Sequence, residues 1–282
     1  MKKRIALVLL LLLPLMTFSY AGSVVECEGL NPESGDYIVT YARKFANMLE
    51  EELNVTIMLG DECNALIQAV PPRLIGYDPE LEEYNDLTEN LVNILAVGTL
   101  KEYLRKLPTE FYTYIRDEQA PHGLRFLLVD HVYQPNPFHE CAGLTFPQDG
   151  YYNIILKRCN LYANPYIIFH EIWHAIEYNI LASHPDAFMI WDALNPPGFH
   201  YSDDYLNVDW NDYPADYFAS GYGMVNGMED RATIAEAVFY DNSIEWFSER
   251  PGVVRKAMAM NLAMCDTVHL AFNFVPSGAD QQ

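Results

Sequence analysis

Basic residues are scarce in this sequence, which has 17 Lys and Arg against 39 Asp and Glu and a formal net charge of −22. Such a negative field repels nucleic acid and anionic lipid surfaces, so we expect neither as a partner. Beyond residue 21, no apolar run reaches the ~20 residues that a membrane span requires. Cys-x-x-Cys pairs are also missing, which argues against a structural zinc site built from thiolates.

The first 21 residues have the order of a secretory signal peptide. Lys2, Lys3 and Arg4 precede an apolar run over residues 5–15, and Ser19 and Ala21 supply the small residues of a cleavage site after Ala21. A retained anchor is the weaker alternative, because the run is shorter than a spanning helix. The pattern predicts export to the periplasm or the medium, with no membrane association after cleavage.

All five cysteines lie beyond this signal, at positions 27, 63, 141, 159 and 265. An oxidising compartment would allow four of them to pair. Spacing does not establish the connectivity. Cys141 and Cys159 are the first pair to expect, because the stretch between them reads as a hairpin.

The first half of the mature chain is predicted to be helical. Residues 37–53 and 91–115 carry apolar side chains at helical intervals. Residues 22–120 form this largely helical part, and residues 121–282 form the catalytic part of what we expect to be a single α+β domain.

The pattern changes after Pro121. Residues 124–129 read as a buried strand, and residues 151–156 read as another after an Asp-Gly turn. A helix then follows, with Asn164 as its N-cap and no breaker through Ala182. The order predicts a small sheet whose edge leads into this helix.

This helix contains His170-Glu-Ile-Trp-His174, a His-Glu-x-x-His motif. Residues four apart share one helical face, so both imidazoles can bind one zinc ion. Glu171 is the next residue around the helix and can take a proton from a water on the metal. Two hydrogen-bonded core histidines are the competing interpretation. The motif predicts a zinc site with Glu171 as general base.

A catalytic zinc site needs a third protein ligand. The extended metzincin pattern fails, because its glycine position is Glu177 and its third-histidine position is Ile180. The remaining candidates are downstream histidines or a downstream carboxylate: His184, His200, His269 and Glu229. Among carboxylates Glu229 stands out, because it begins a second amphipathic helical pattern after Gly227.

The His-Glu-x-x-His motif and the segment Ser220-Gly-Tyr-Gly-Met-Val-Asn-Gly-Met-Glu229-Asp-Arg-Ala together resemble a known group. This group is the secreted bacterial zinc-binding metallopeptidases, which are similar to the catalytic domain of anthrax lethal factor and to proline-proline endopeptidases. The resemblance covers the second half of the chain. It implies a zincin-like fold of the gluzincin type, one catalytic Zn²⁺ held by His170, His174 and Glu229, and a peptide or protein substrate.

Two further expectations come from the resemblance. Tyr222 matches a tyrosine that stabilises the tetrahedral intermediate, and the substrate is expected along an edge strand at residues 151–157. One position departs from the lethal factor pattern, since Thr233 stands where a second glutamate would follow the ligand by one turn. Asp230 and Glu236 are therefore both candidates to accept a hydrogen bond from a metal-bound imidazole.

Two alternatives to an endopeptidase remain open. A zinc-binding protein without peptidase activity would keep both histidines but has no need of Glu171. A zinc hydrolase acting on a non-peptide amide or ester would share the whole metal site, because zinc ligands dictate how water is activated and not which bond is cut.

Overall fold

The computed structural model describes residues 35–60, 62, 63, 66, 75, 76, 86–135, 138–240 and 244–267. The predicted signal peptide, Cys27 and His269 lie outside these residues. Within the described ranges, no helix is both long enough and apolar enough to cross a membrane. The fold is α+β.

Three of the helices in the described residues of the N-terminal part flank the first strand or follow it. Helix α1 spans Gly35–Leu53, α2 spans Asp86–Leu104 and α3 spans Phe111–Tyr114. The predicted helix at residues 37–53 is confirmed. The prediction of one helix over residues 91–115 is wrong at its C-terminal end, because Pro108 has no N–H and the chain turns before it.

Strands occupy the middle of the chain. In the described residues they are β1 Thr56–Leu59, β2 Ile75–Gly76, β3 Leu124–Val129, β4 His131–Pro135, β5 Phe138–Glu140, β6 Gly143–Gln148 and β7 Tyr151–Lys157. The main sheet has the order β1-β3-β7-β6, in which β1, β3 and β7 are parallel and β6 is antiparallel to β7. Strands β2, β4 and β5 form a smaller antiparallel sheet. The predicted strands at residues 124–129 and 151–156 are confirmed.

The edge of the main sheet differs from the prediction. Strand β7 pairs with β3 on one side and β6 on the other, so residues 151–157 are not an edge strand. Asp149 and Gly150 have positive φ angles of 53° and 76°, which suit a two-residue hairpin turn and fold β6 back onto β7. The edge strand next to the predicted active-site helix is therefore β6.

The remaining helices follow the sheet. In the ranges that the structure describes they are α4 Arg158–Ala163, α5 Ile167–Ser183, α6 Gly227–Tyr240, α7 Ile244–Ser248 and α8 Pro251–Thr267, with 3-10 helices at Trp191–Leu194 and Gly221–Met224. Asn164 is not the N-cap of α5, because Tyr166 occupies that position. The Asn164 Oδ1 atom instead accepts the Tyr166 N–H at 3.2 Å, in the turn that precedes the helix.

Helix α5 lies across one face of the main sheet. Phe126 and Leu128 of β3 and Ile154 of β7 share one apolar core with Ile172 and Ile176 of α5. These five side chains are at most 1% exposed, so burial of apolar area fixes the helix on the sheet. The apolar core therefore positions α5 on the sheet.

The expected Cys141–Cys159 disulfide is absent. Cys63, Cys141, Cys159 and Cys265 are all free thiols. The Cys141 thiol donates to the Gly143 carbonyl oxygen at 3.0 Å, whereas Cys159 is exposed at the start of α4 and donates to Asn160 Oδ1 at 3.4 Å. The two thiols are thus held by different local partners.

Candidate metal centre

Helix α5 presents the two motif histidines as a buried pair. His170 and His174 are 4% and 9% exposed, and their ring centroids lie 5.0 Å apart. Buried imidazoles require polar partners. The Nε2 atoms of both rings turn to one carboxylate, that of Glu229 on helix α6.

Glu229 lies in the first turn of α6, where the chain is fixed by Asn226. The Asn226 Oδ1 atom accepts the N–H groups of Met228 at 2.9 Å and Glu229 at 3.0 Å, which is how an N-cap residue satisfies the free donors of a helix start. The Gly227 break predicted from sequence thus coincides with the beginning of α6. This cap aims the Glu229 side chain at α5.

The distances among the three residues fit a metal ion. Glu229 Oε2 lies 3.1 Å from His170 Nε2 and 3.5 Å from His174 Nε2, and the candidate ligand atoms all lie within 4.8 Å of one another. Ligand atoms bound tetrahedrally at about 2.0–2.2 Å from zinc are about 3.3–3.6 Å apart. Two histidines and one glutamate are also a known ligand set of catalytic zinc sites.

The other candidate ligands stay apart from this cluster. His184 is the C-cap of α5 and His200 lies in the loop after the first 3-10 helix, and both are exposed. In the part of the chain that the structure describes, His170, His174 and Glu229 form the one group that could hold a metal ion.

The charges of the cluster are strongly coupled. Burial disfavours the charged form of Glu229, yet His174 and His170 outweigh it and hold the Glu229 pKa well below its usual value. Burial likewise disfavours a charged His170, yet Glu229 and Glu236 outweigh it and raise the His170 pKa. A cation that binds between these residues must displace the His170 proton, so its binding strengthens as the pH rises.

Glu236 is the outer partner of His170, and Asp230 is not. Glu236 Oε2 lies 3.4 Å from His170 Nδ1, and its Oε1 accepts a hydrogen bond from Asn164 at 2.6 Å. A carboxylate at Nδ1 fixes the tautomer that leaves Nε2 free to bind a metal. Asp230 turns away from the imidazoles and pairs with Lys256 at 2.7 Å.

Glu171 faces the edge strand β6. Its Oε2 accepts a hydrogen bond from the Thr145 hydroxyl at 2.8 Å. A Cβ atom added at Gly143 would lie 2.6 Å from Glu171 Oε1, so a larger residue here would force the Glu171 side chain to move. Burial raises the pKa of Glu171, while the two histidines and Thr145 act in the opposite direction.

Gly143 and Thr145 are site residues that the sequence pattern does not predict. The available signal was a glycine inside an alternating stretch, which indicates a bulge or a close approach of the backbone. Nothing local identifies the partner that approaches, because Glu171 lies 26 residues beyond Thr145.

Tyr222 lies beside the cluster on the second 3-10 helix. Its ring centroid is 6.0 Å from that of His170, and it stacks on Trp210 at 5.5 Å with an interplanar angle of 2°. Burial and the charges of Glu229 and Glu171 raise its pKa, so the hydroxyl stays protonated and can donate a hydrogen bond. The structure thus brings Tyr222 to the two motifs.

The chain matches no protein-family model and no curated protein. Among solved structures it is similar to a Bacteroides caccae protein described as a "putative zinc-binding metallo-peptidase". The TM-score is 0.46 and the sequence identity 13%, over 83% of this chain and 89% of the other. A likeness at this level does not bear on activity, so the chemistry of the site rests on its own geometry.

Proposed function

We propose that this protein is an exported zinc-dependent endopeptidase of the zincin class. The observation that carries the proposal is the convergence of His170, His174 and Glu229, whose candidate ligand atoms lie close enough together to share one metal ion. The signal-peptide pattern of residues 1–21 supports export.

Glu171 is the general base of the proposed reaction. A zinc ion held by His170, His174 and Glu229 would lower the pKa of a bound water and polarise the scissile carbonyl. The buried Glu171 carboxylate would take a proton from this water and deliver it to the leaving amine. Thr145 orients the carboxylate through its 2.8 Å hydrogen bond, and Gly143 leaves space for it.

Tyr222 is the proposed donor to the oxyanion. A neutral phenol that donates to the developing charge stabilises the tetrahedral state more than the ground state. The stack with Trp210 restricts the ring of Tyr222 on one side. The hydroxyl can therefore be held near its position in the transition state before substrate arrives.

The substrate is proposed to lie along β6, and not along residues 151–157 as the resemblance implies. The Ala142 carbonyl oxygen accepts the Lys157 N–H at 2.9 Å, so these two residues form a hydrogen-bonded pair of the antiparallel ladder. Along such a ladder only every second residue bonds to the partner strand, and the residues between them direct their main-chain groups to the opposite side. Gly143 and Thr145 therefore direct their main-chain N–H groups away from β7. A peptide in extended form can pair with these groups by strand addition.

The test combines metal analysis with peptide cleavage. We expect the purified protein to hold one zinc ion and to cleave members of a peptide library, as measured by elemental analysis and mass spectrometry. Glu171→Gln should keep the zinc and lose activity by about 100- to 10,000-fold, the usual contribution of a general base. Glu110→Gln, at an exposed glutamate before α3, is the matched control and should leave both unchanged.

Each other outcome contradicts the proposal in a distinct way. Absence of bound metal removes the zinc site. Bound zinc with no hydrolysis indicates a zinc-binding protein, and hydrolysis of non-peptide amides or esters alone indicates the alternative hydrolase. Full activity of Glu171→Gln removes Glu171 from the reaction.

A further inference from the structure

Asp230 holds a fully buried carboxylate beside the metal cluster. It is 0% exposed, and its Oδ2 accepts hydrogen bonds from Lys256 Nζ at 2.7 Å, Trp191 Nε1 at 2.9 Å and the Tyr201 hydroxyl at 2.7 Å. The three donors belong to helix α8, the first 3-10 helix and the long loop after it. One carboxylate thus joins three segments to α6.

Tyr201 connects this carboxylate to the turn that carries Tyr222. The next residue, Ser202, donates its N–H to the Met224 carbonyl oxygen at 3.1 Å. Asp203 donates its N–H to the Val225 carbonyl oxygen at 2.8 Å. The backbone after Tyr201 therefore runs against the backbone after Tyr222.

Lys256 fixes the same loop at a second point. Its ammonium group donates to the Tyr217 carbonyl oxygen at 2.8 Å and lies 3.9 Å from the centre of the Phe218 ring. Residues 217 and 218 lead directly into the Tyr222 turn. The Asp230–Lys256 pair thus holds this turn from both ends of the loop.

The Tyr222 turn also packs directly on Asp230. A Cβ atom added at Gly223 would lie 3.3 Å from Asp230 Cα and 2.9 Å from Thr233 Oγ1. The residue after Tyr222 must therefore be small for the turn to reach α6. Glu229 and Asp230 are adjacent in the first turn of α6. The Glu229 carboxylate faces the imidazoles, and the Asp230 carboxylate faces this loop.

We propose that Asp230 is a positioning residue that, through Tyr201, holds the Tyr222 turn in place over the metal cluster. The proposal rests on the proposed role of Tyr222 in peptide hydrolysis. Its physical basis is the free-energy cost of leaving a buried carboxylate without a hydrogen-bond donor, which favours the arrangement in which Tyr201 stays bonded to Asp230. A wholly structural role would instead affect the fold without acting through Tyr222.

Tyr201→Phe tests the proposal because it removes one hydroxyl and keeps the ring. In the active protein we expect kcat to fall about tenfold, with zinc content and KM unchanged. In a Tyr222→Phe background the same change should have no further effect, which is the signature of residues that act through one another in a double-mutant cycle. Tyr114→Phe is the matched control: it removes the hydroxyl of a tyrosine that is 45% exposed on α3, and it should leave kcat unchanged.

A second measurement does not depend on activity. Hydrogen exchange of the metal-free protein should speed up in residues 220–226 of Tyr201→Phe and remain unchanged in α5. Asp230→Asn should show the same local change with a larger amplitude. If the wild type cleaves no peptide, the endopeptidase proposal fails, and hydrogen exchange still tests whether Asp230 and Tyr201 hold the turn.

Two outcomes overturn the positioning role. One is an equal fall in kcat with and without the Tyr222 hydroxyl, which means that Tyr201 acts independently of Tyr222. The other is unchanged exchange in residues 220–226, which means that the hydrogen bond does not hold the turn.

Discussion

Helices α5 and α6 meet in two buried charged regions that differ in how their charges are matched. In the paired region, Glu177 of α5 binds Arg231 of α6, with Arg231 Nε donating to Glu177 Oε2 at 2.9 Å. Asp230 is likewise paired with Lys256. In the metal region, the carboxylates of Glu229 and Glu236 lie beside the imidazoles of His170 and His174, and Glu171 belongs to the same cluster.

This difference indicates what each region does. In the paired region each carboxylate already has a basic side chain as its partner, Arg231 for Glu177 and Lys256 for Asp230, so its oxygens are occupied. In the metal region carboxylates outnumber the histidines, and Glu229 and Glu236 raise the pKa of His170. The paired region holds the helices together, whereas His170, His174 and Glu229 form a group that could hold a cation.

Arg231→Met provides the strongest test of this contrast. We expect it to lower the free energy of unfolding of the metal-free protein by about 3–5 kcal/mol, because it leaves Glu177 buried without its cation. Urea unfolding followed by circular dichroism measures the change. Zinc affinity of the protein that remains folded should be unchanged.

A double variant serves as the control for this result. Glu177→Gln combined with Arg231→Met removes both charges and should recover much of the lost stability. A loss of zinc in the folded single variant, or a double variant no more stable than the single one, would show that the two regions are not separable.

Glu236→Gln tests whether the Glu236 carboxylate orients His170 for metal binding. It replaces the carboxylate 3.4 Å from His170 Nδ1, so we expect zinc affinity to fall by 10- to 100-fold. Competition with a chelator measures the affinity. Unaltered affinity would mean that Glu236 does not orient His170.

The local parts of the site could be predicted from sequence, and the distant parts could not. The spacing of His170 and His174 and the Asp149-Gly150 turn are set within a few residues. By contrast, the identity of the edge strand depends on β6, where Gly143 and Pro147 weaken the strand pattern. Lys256 reaches Asp230 from a helix that no motif marks, so their pairing follows only from the packed fold.

The third metal ligand could be predicted only in part from the sequence. Residue patterns left Glu229 among several candidates, and the resemblance to zinc peptidases selected it. The structure brings Glu229 to both histidines, but it also separates the roles of Asp230 and Glu236, which the sequence treats as equal. Neighbouring carboxylates on one helix point in different directions, and a linear pattern does not resolve which one faces the metal.

Thr145→Val is expected to have the smallest effect on activity. Thr145 lies on the edge strand β6, where its hydroxyl contacts Glu171 of the metal region. The Thr145 hydroxyl donates to the Glu171 carboxylate and thereby favours its charged form, which lowers the Glu171 pKa. Without this donor the pKa rises, so less of the base is ionised on the acidic side. We expect kcat/KM to fall by about tenfold at low pH and by less at high pH.

The pH profile of peptide cleavage shows whether Thr145 acts on the pKa of Glu171 or on the packing of β6. The acid limb of kcat/KM should move to higher pH in Thr145→Val and stay in place in Thr145→Ser, which keeps a hydroxyl at the same position. A uniform fall across the profile would assign Thr145 to packing of β6 against α5. A shift toward lower pH would mean that the hydroxyl does not stabilise the charged Glu171, and the edge strand would then lose its proposed part in holding the base.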